Sequence, residues 1–100
     1  MITIVDYGMG NLGSILNMIK KTGFAATITS DKNEILKAKK LVLPGVGSFD
    51  SAINNLENLD LIEVLNKKAL DERIPILGIC LGMQIMTNSS EEGRKKGFGW

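Results

Sequence analysis

The chemistry that this sequence can offer centres on its one cysteine. Cys80 stands between two glycines in the motif Gly78-Ile79-Cys80-Leu81-Gly82, after an apolar run and before a stretch typical of a helix. This pattern predicts a nucleophile elbow, in which a tight turn lifts the side chain out of the sheet edge and crowding excludes larger neighbours. The alternative is a small buried hydrophobe, as free cysteines usually are. The two glycines and the preceding apolar strand favour a catalytic thiolate.

A second segment, Pro44-Gly45-Val46-Gly47, follows a different predicted strand. The carboxyl ends of parallel strands meet at one edge of a sheet, where open α/β sheets bind ligands. By itself the segment is read as a turn. Beside a cysteine nucleophile, its backbone N–H groups and that of Leu81 become candidates for an oxyanion hole, which stabilises the negative oxygen formed when a thiolate attacks a carbonyl.

The remaining polar residues are weaker candidates. Asn11 is a good N-cap for the helix that follows it, and an exposed contact with a partner is the alternative. The glycines before it lack the Lys-Ser/Thr of a phosphate-binding loop. Gln84 lies four residues after Cys80 on the same side of the predicted helix, where a solvated position is the alternative. Four acidic residues are interpreted as solvated surface, namely Asp6, Asp50, Glu91 and Glu92. Their spacing suits neither an acid–base pair nor a metal site.

Composition excludes several classes of protein. A content of 44% hydrophobic and 23% charged residues is ordinary for a folded globular chain, and a net charge of +1 leaves no footprint for nucleic acid. No apolar run approaches the roughly 20 residues that span a bilayer, and the N-terminus lacks the features of a signal peptide. One cysteine cannot form an internal disulfide, so we expect a reducing, cytoplasmic setting.

Hydrophobic periodicity predicts strands that alternate with helices. The strands are expected at residues 2–5, 24–29, 41–43 and 74–79. The helices are expected from Leu12 to before Gly23, at 31–38 with Asp31 and Glu34 forming a capping box, and at 81–88. Residues 48–70 are one broken helix or two short ones. This alternation predicts parallel βαβ units with right-handed crossovers, and the short apolar strand 41–43 belongs in the buried middle of the sheet.

Histidine is absent from the 100 residues. A cysteine nucleophile usually takes its general base from a histidine. No closing helix or strand is predicted near Gly97-Phe98-Gly99-Trp100 to cover the edge of the sheet. We therefore expect these residues to be the N-terminal part of a single domain in a longer protein.

The motifs together closely resemble the class I (triad) glutamine amidotransferases. The resemblance rests on residues 75–84 around Cys80, on residues 44–47 and on residues 89–93. The opening Asp6-Tyr7-Gly8-Met9-Gly10-Asn11 is most similar to one branch of that family, the glutaminase subunits of imidazole glycerol phosphate synthase in histidine biosynthesis. The resemblance implies an α/β fold, a three-layer sandwich with a mainly parallel, flavodoxin-like sheet, of which these residues are a truncated part.

The resemblance also implies a reaction. Cys80 attacks the side-chain amide of glutamine, releases ammonia and leaves a γ-glutamyl thioester that water hydrolyses to glutamate. The ammonia is channelled to a synthase subunit in a heterodimer, and neither a cofactor nor a metal is implied. In the family, the base is a histidine oriented by a glutamate, and both lie in the second half of the chain.

The same resemblance implies roles for individual residues. The oxyanion hole comes from Gly45, Val46 and Gly47 together with the N–H of Leu81. Gly47 and Gln84 bind the substrate glutamine, and Asn11 lies at the interface with the synthase. The segment 44–47, which we call the oxyanion strand, is expected to reorient its backbone before the site is productive.

Two other functions stay open from the sequence. A paralogous amidotransferase subunit that supplies ammonia for aminated sugars in surface polysaccharide has the same motif residues. A non-catalytic α/β binding or regulatory module is the alternative of another class. Cys80 argues against that module, whereas the absent histidine argues for it.

Overall fold

The computed structural model describes residues 1–89, 93 and 95–100. In this part of the chain a four-stranded parallel sheet has the strand order β2-β1-β3-β4. The strands are β1 Ile2–Val5, β2 Ala26–Thr29, β3 Leu41–Leu43 and β4 Ile76–Gly78. This order matches the flavodoxin-like arrangement and confirms the predicted parallel βαβ units. The surface positions expected for Glu91 and Glu92 lie outside the described residues.

Five helices accompany the described strands. They are α1 Leu12–Lys21, α2 Lys32–Lys37, α3 Phe49–Asn58, α4 Ile62–Asn66 and α5 Leu81–Ile85. A π-helical turn, Lys67–Asp71, continues α4. Residues 48–70 therefore hold two helices, the second of the two predicted alternatives. The side chains of Asn11, Asp31 and Ser48 cap α1, α2 and α3.

The hydrophobic core lies on one face of the sheet. β3 is fully buried and lies between β1 and β4, as predicted for its short apolar sequence. Because parallel crossovers are right-handed, the strand order places α1 on one face and α2 to α4 on the other. The core cluster draws side chains from α2, α3, α4 and α5, whereas no residue of α1 is fully buried. The layers are therefore α1, the sheet, and the remaining helices.

The predicted bounds of β2, β4 and α5 were wrong. β2 begins at Ala26, and Phe24 lies exposed before the strand. β4 begins at Ile76, because the N–H of Ile74 donates to the carbonyl of Lys68 instead of joining the sheet, and it ends at Gly78 rather than at residue 79. α5 ends at Ile85 and does not reach residue 88, because the N–H groups of residues 97–100 take the carbonyls of residues 85–88.

The capping box at the start of α2 was also a wrong prediction. The Asp31 carboxylate does cap the helix by accepting from the N–H of Asn33 at 2.9 Å. The N–H of Asp31, however, donates to the hydroxyl of Thr29 at 3.0 Å, so this hydroxyl takes the place expected for Glu34. The cap is therefore formed with the end of β2.

A buried lysine joins the π-helical turn to α2. The side chain of Lys68 is 2% exposed, and its Nζ donates to the carbonyl of Leu36 at 2.7 Å and to the carboxylate of Glu72 at 2.8 Å. The hydrogen bond from Lys68 lowers the pKa of Glu72. The ammonium thus links the π-helical turn to α2 through Leu36 and to the end of the same turn through Glu72.

We expect Lys68→Met to lower the free energy of unfolding by about 1–3 kcal/mol, because it leaves the Leu36 carbonyl without its partner. Urea denaturation followed by circular dichroism measures the loss. Lys67→Met is the matched control, since Lys67 is exposed on the same turn, and it should change stability by less than about 0.5 kcal/mol. Equal midpoints for the two variants would contradict the role given to Lys68.

Candidate functional site

Cys80 occupies a strained turn between β4 and α5. Its backbone has φ +52° and ψ −114°, and it forms the N-cap position of α5 with an exposed side chain. Left-handed φ values cost a non-glycine residue on the order of 1–3 kcal/mol and cluster at functional sites. The geometry is that of the predicted elbow, which presents the thiol to solvent rather than burying it as a small hydrophobe.

The two glycines of the elbow are required by crowding, as predicted. A Cβ on Gly82 would overlap the carbonyl oxygen of Leu43. A Cβ on Gly78 would lie 2.7 Å from the Cα of Met83. The first contact fixes α5 against the end of β3, and the second fixes α5 against the end of β4. Neither position has room for a side chain.

The pairing of β3 with β4 brings the elbow beside the oxyanion strand. Leu43 is in register with Gly78, and the N–H of Ile79 donates to the carbonyl of Leu43 at 2.9 Å. Pro44 therefore follows Leu43 at the end of β3, and Cys80 follows Ile79 just beyond the end of β4. The structure thus brings together two of the segments that the sequence selected.

One expected oxyanion donor is already occupied. The N–H of Leu81 donates to the carbonyl of Gly45 at 3.1 Å. An oxyanion formed at Cys80 needs that same proton. We call this the blocked arrangement of the oxyanion strand, because a carbonyl oxygen holds the donor on which the predicted chemistry depends.

Gly45 is buried in a tight space below the elbow. A Cβ at this position would lie 3.1 Å from the Cβ of Leu81 and 3.3 Å from the backbone nitrogen of Gly82. It would also overlap the hydroxyl of Tyr7. That hydroxyl donates to the carbonyl of Pro44. Burial raises the pKa of Tyr7 well above its ordinary value, so the hydroxyl keeps its proton and acts as a donor.

Sequence reasoning missed Tyr7, because it treated residues 6–11 as a glycine turn with a capping residue. The available signal was an aromatic residue directly after a buried strand. A tyrosine buried there needs a hydrogen-bond partner for its hydroxyl, and the carboxyl end of the sheet supplies carbonyls.

The outer half of the oxyanion strand is open to solvent. Val46 is 69% exposed, and Gly47 is exposed with φ +130°. Met83, one turn into α5, is 58% exposed. Gln84 is exposed and its N–H donates to the carbonyl of Cys80 at 3.2 Å, which places it one turn from the thiol as predicted. The thiol and these residues are thus all accessible to solvent.

The other candidate residues have hydrogen-bond partners within the chain. Asn11 is exposed, and its side-chain oxygen accepts from the N–H of Ser14 at 3.2 Å, so it is an N-cap. Asp6 accepts from the N–H of Gly8 at 3.1 Å. Asp50 is half-buried and accepts from the N–H of Lys95 at 2.9 Å. The expectation of a purely solvated Asp50 was therefore wrong, because this carboxylate holds a distant backbone segment.

Neither a metal centre nor a membrane span is seen in the described part of the chain. None of its acidic, cysteine or histidine side chains gather in groups of three suited to a metal ion. None of its helices is both long enough and apolar enough to cross a bilayer.

The fold and the site define a flavodoxin-like α/β protein with a cysteine at a nucleophile elbow. The chain belongs to the class-I glutamine amidotransferase family, whose family model matches residues 3–95. A solved structure described as a glutamine amidotransferase superposes with a TM-score of 0.82 at 16% identity, covering 99% of this chain and 52% of the other. At that identity the likeness shows the shared fold.

Curated relatives match the full length of the chain. The imidazole glycerol phosphate synthase subunit HisH 2 of Methanococcus maripaludis is 65% identical over 100 residues, which are 100% of this chain and 50% of that protein. The subunit of the same name in Pseudomonas aeruginosa is 43% identical with the same coverage. The subunit HisH of Leptospira borgpetersenii is 46% identical over 100% of this chain and 49% of its own. The chain thus spans about half the length of these curated relatives.

We expect Gly82→Ala to lower the free energy of unfolding by about 3 kcal/mol or more, because its methyl group overlaps the main chain of β3. Gly13→Ala is the matched control, since the nearest atom to a Cβ there is 3.9 Å away inside α1. Alanine in a helix interior should raise stability by up to about 1 kcal/mol. Thermal unfolding of both variants measures these changes. A Gly82→Ala variant with the stability of the parent would show that the elbow is not crowded.

Proposed function

We propose that this protein is the glutaminase subunit of an imidazole glycerol phosphate synthase. It hydrolyses glutamine to glutamate and ammonia, and the ammonia passes to a synthase subunit. The observation that carries the proposal is the exposed Cys80 on its strained elbow, in a chain that is 65% identical over its whole length to a subunit of that name.

Cys80 is the nucleophile of the proposed reaction. Its thiolate attacks the side-chain carbonyl carbon of glutamine and forms a tetrahedral oxyanion. The C–N bond then breaks, ammonia leaves with a proton from the general acid, and a γ-glutamyl thioester remains. Water adds to the thioester and releases glutamate and the thiol. The described residues supply the nucleophile, and we propose that a histidine and a glutamate in the other half of the protein supply and orient the base.

The oxyanion hole of this proposal is made of backbone. The N–H of Leu81 is one donor, and the strand of Gly45, Val46 and Gly47 provides the other after it leaves the blocked arrangement. Freeing the Leu81 proton requires the Gly45 carbonyl to turn away. Hydrolysis is then slow until that reorientation occurs. Equal glutaminase rates with and without the synthase subunit and its substrate would count against this step.

Two exposed residues complete the proposed site. Gln84 lies one turn after the nucleophile, where its amide can bind the amino-acid end of glutamine. Gly47 is exposed in the oxyanion strand with φ +130°, a conformation that favours glycine, and its backbone can contact the substrate. Neither position needs a cofactor or a metal for the proposed reaction.

The proposal also includes the domain and its setting. We propose that residues 1–100 form the N-terminal part of a single amidotransferase domain, which is supported by relatives of about twice this length. β4 is paired on one side only among the described strands, and its Leu77 is 60% exposed. The remaining half of such a domain would cover this edge. The chemistry needs a reduced thiol, which suits the cytoplasm.

We expect Cys80→Ala in the full-length protein to lower glutaminase activity by at least about a thousandfold, because the covalent route is lost. Ammonia release from glutamine measures the rate. A glutamine-mimicking electrophile should label the parent protein at Cys80, and glutamine should protect it. Asn17→Ala, an exposed change on α1, is the control and should behave as the parent. Residual activity of Cys80→Ala near the parental rate would exclude the proposed nucleophile.

We expect both Asn11→Ala and Asn11→Ser to weaken binding to the synthase subunit, since each removes the amide proposed to contact it. Only Asn11→Ala should also lose about 1 kcal/mol of stability, because serine still caps α1. Titration calorimetry and thermal unfolding separate the two effects. Parental affinity in Asn11→Ser would show that the asparagine serves only as a cap.

A further inference from the structure

Tyr7 is a buried ionisable residue that the proposed chemistry does not use. Its side chain is 0% exposed and belongs to the core cluster. Its hydroxyl donates to the carbonyl of Pro44 and fills the space next to Gly45 where a Cβ would lie. One hydroxyl group therefore contacts the first two residues of the oxyanion strand.

Two successive carbonyls of the oxyanion strand are held in the blocked arrangement. The hydroxyl of Tyr7 holds the carbonyl of Pro44, and the N–H of Leu81 holds the carbonyl of Gly45 at 3.1 Å. Buried carbonyls with partners are favourable, and the loss of a partner carries a desolvation penalty. The two hydrogen bonds therefore favour the same backbone orientation.

Gly45 has little freedom to turn independently of Tyr7. Its Cα faces the tyrosine hydroxyl on one side, and a Cβ there would lie 3.1 Å from the Cβ of Leu81. The turn of residues 8–10 closes another side, since a Cβ on Gly10 would lie 3.3 Å from the Cα of Gly45. Rotation of the Gly45 carbonyl away from Leu81 must therefore change the contact with the Tyr7 hydroxyl.

We propose that Tyr7 is a positioning residue whose hydroxyl holds the oxyanion strand in its blocked arrangement and so keeps unstimulated glutamine hydrolysis slow. This inference rests on the proposed glutaminase function. Tyr7 does not touch the substrate; it acts through Pro44 and Gly45. A contact made in only one of two arrangements shifts the population between them by its own free energy.

The test is Tyr7→Phe in the full-length subunit, which keeps the ring and removes only the hydroxyl. The rate of the free subunit should rise about two- to tenfold, the effect of one hydrogen bond. The rate in complex with a synthase subunit that is turning over its substrate should stay within about twofold of the parent. The stimulation factor, which is the ratio of the two rates, should therefore fall. An unchanged factor, or a free rate that falls together with the complexed rate, overturns the proposal.

Amide hydrogen exchange gives a second readout. The N–H of Leu81 should exchange faster in free Tyr7→Phe than in the free parent. The reason is that a larger fraction of the molecules would have the hydrogen bond between this N–H and the Gly45 carbonyl broken. Unchanged exchange at Leu81 overturns the proposal. Should Tyr7→Phe not fold, Asn55→Ala tests the same restraint, because the Asn55 amide donates to the carbonyl of Tyr7 at 3.0 Å. A parental stimulation factor in that variant also overturns it.

Two controls separate the possible causes. Ile35→Val removes one methylene group from a fully buried side chain in α2, which packs against α4. It costs stability in a similar range and should leave the stimulation factor unchanged; a fall as large as that of Tyr7→Phe would reduce the effect to general destabilisation and overturn the proposal. The parent itself tests the proposed function: a parent without glutaminase activity rejects that function, whereas an active parent with an unaffected Tyr7→Phe rejects only the role of Tyr7.

Discussion

The site depends on the close approach between two strand ends, where the Cα of Gly82 lies against the carbonyl of Leu43. The register that pairs Leu43 with Gly78 sets this distance, and the N–H of Ile79 donates to the same Leu43 carbonyl. With α5 held this near to β3, the chain must turn sharply at Cys80. The left-handed backbone of the cysteine is thus a consequence of sheet pairing and of missing side chains, and the tight packing offsets its strain.

That approach also explains why the site is built from backbone groups. The elbow and the oxyanion strand are too close for side chains to stand between them, so Gly45, Gly78 and Gly82 each meet main-chain or core atoms directly. Two donors reach this point, the hydroxyl of Tyr7, which comes from below the strand, and the amide proton of Leu81, which faces the thiol side. A backbone donor is rigidly placed as long as the strand that carries it keeps one orientation, and it is lost when the strand turns over.

Much of this arrangement was predictable, because it follows from local patterns. β1 and β3 have the predicted bounds, the parallel order follows from alternating strands and helices, and the elbow follows from two glycines around Cys80. The errors come from contacts made outside the element concerned. The end of α5 depends on residues 97–100, and the cap of α2 depends on Thr29. No periodicity within a helix contains that information.

The orientation of the oxyanion strand is the clearest case of what local pattern omits. The motif predicts a flexible glycine segment beside the nucleophile, but the direction of the Gly45 carbonyl is decided by Tyr7 and Gly10 in the turn after β1 and by Leu81 in α5, which are two other parts of the chain. The roles proposed for Asn11, Gln84 and Gly47 are contacts with glutamine or with a synthase subunit, and the packing within the chain does not determine such contacts. Sequence therefore predicts where the site is, and tertiary packing decides which state it is in.

The blocked state has a simple energetic basis. The Leu81 amide has one proton, so it serves either the Gly45 carbonyl or the oxyanion of the proposed reaction. A backbone hydrogen bond contributes about 0.5–1.5 kcal/mol net, which alone shifts the equilibrium between two orientations by roughly two- to tenfold. A larger shift of this equilibrium needs further hydrogen bonds to the oxyanion strand that are lost when the strand reorients. Residues that hold neighbouring carbonyls meet that condition. Their free energies add, so their effects on the population of the blocked state multiply, and none of them takes part in the reaction proposed for Cys80.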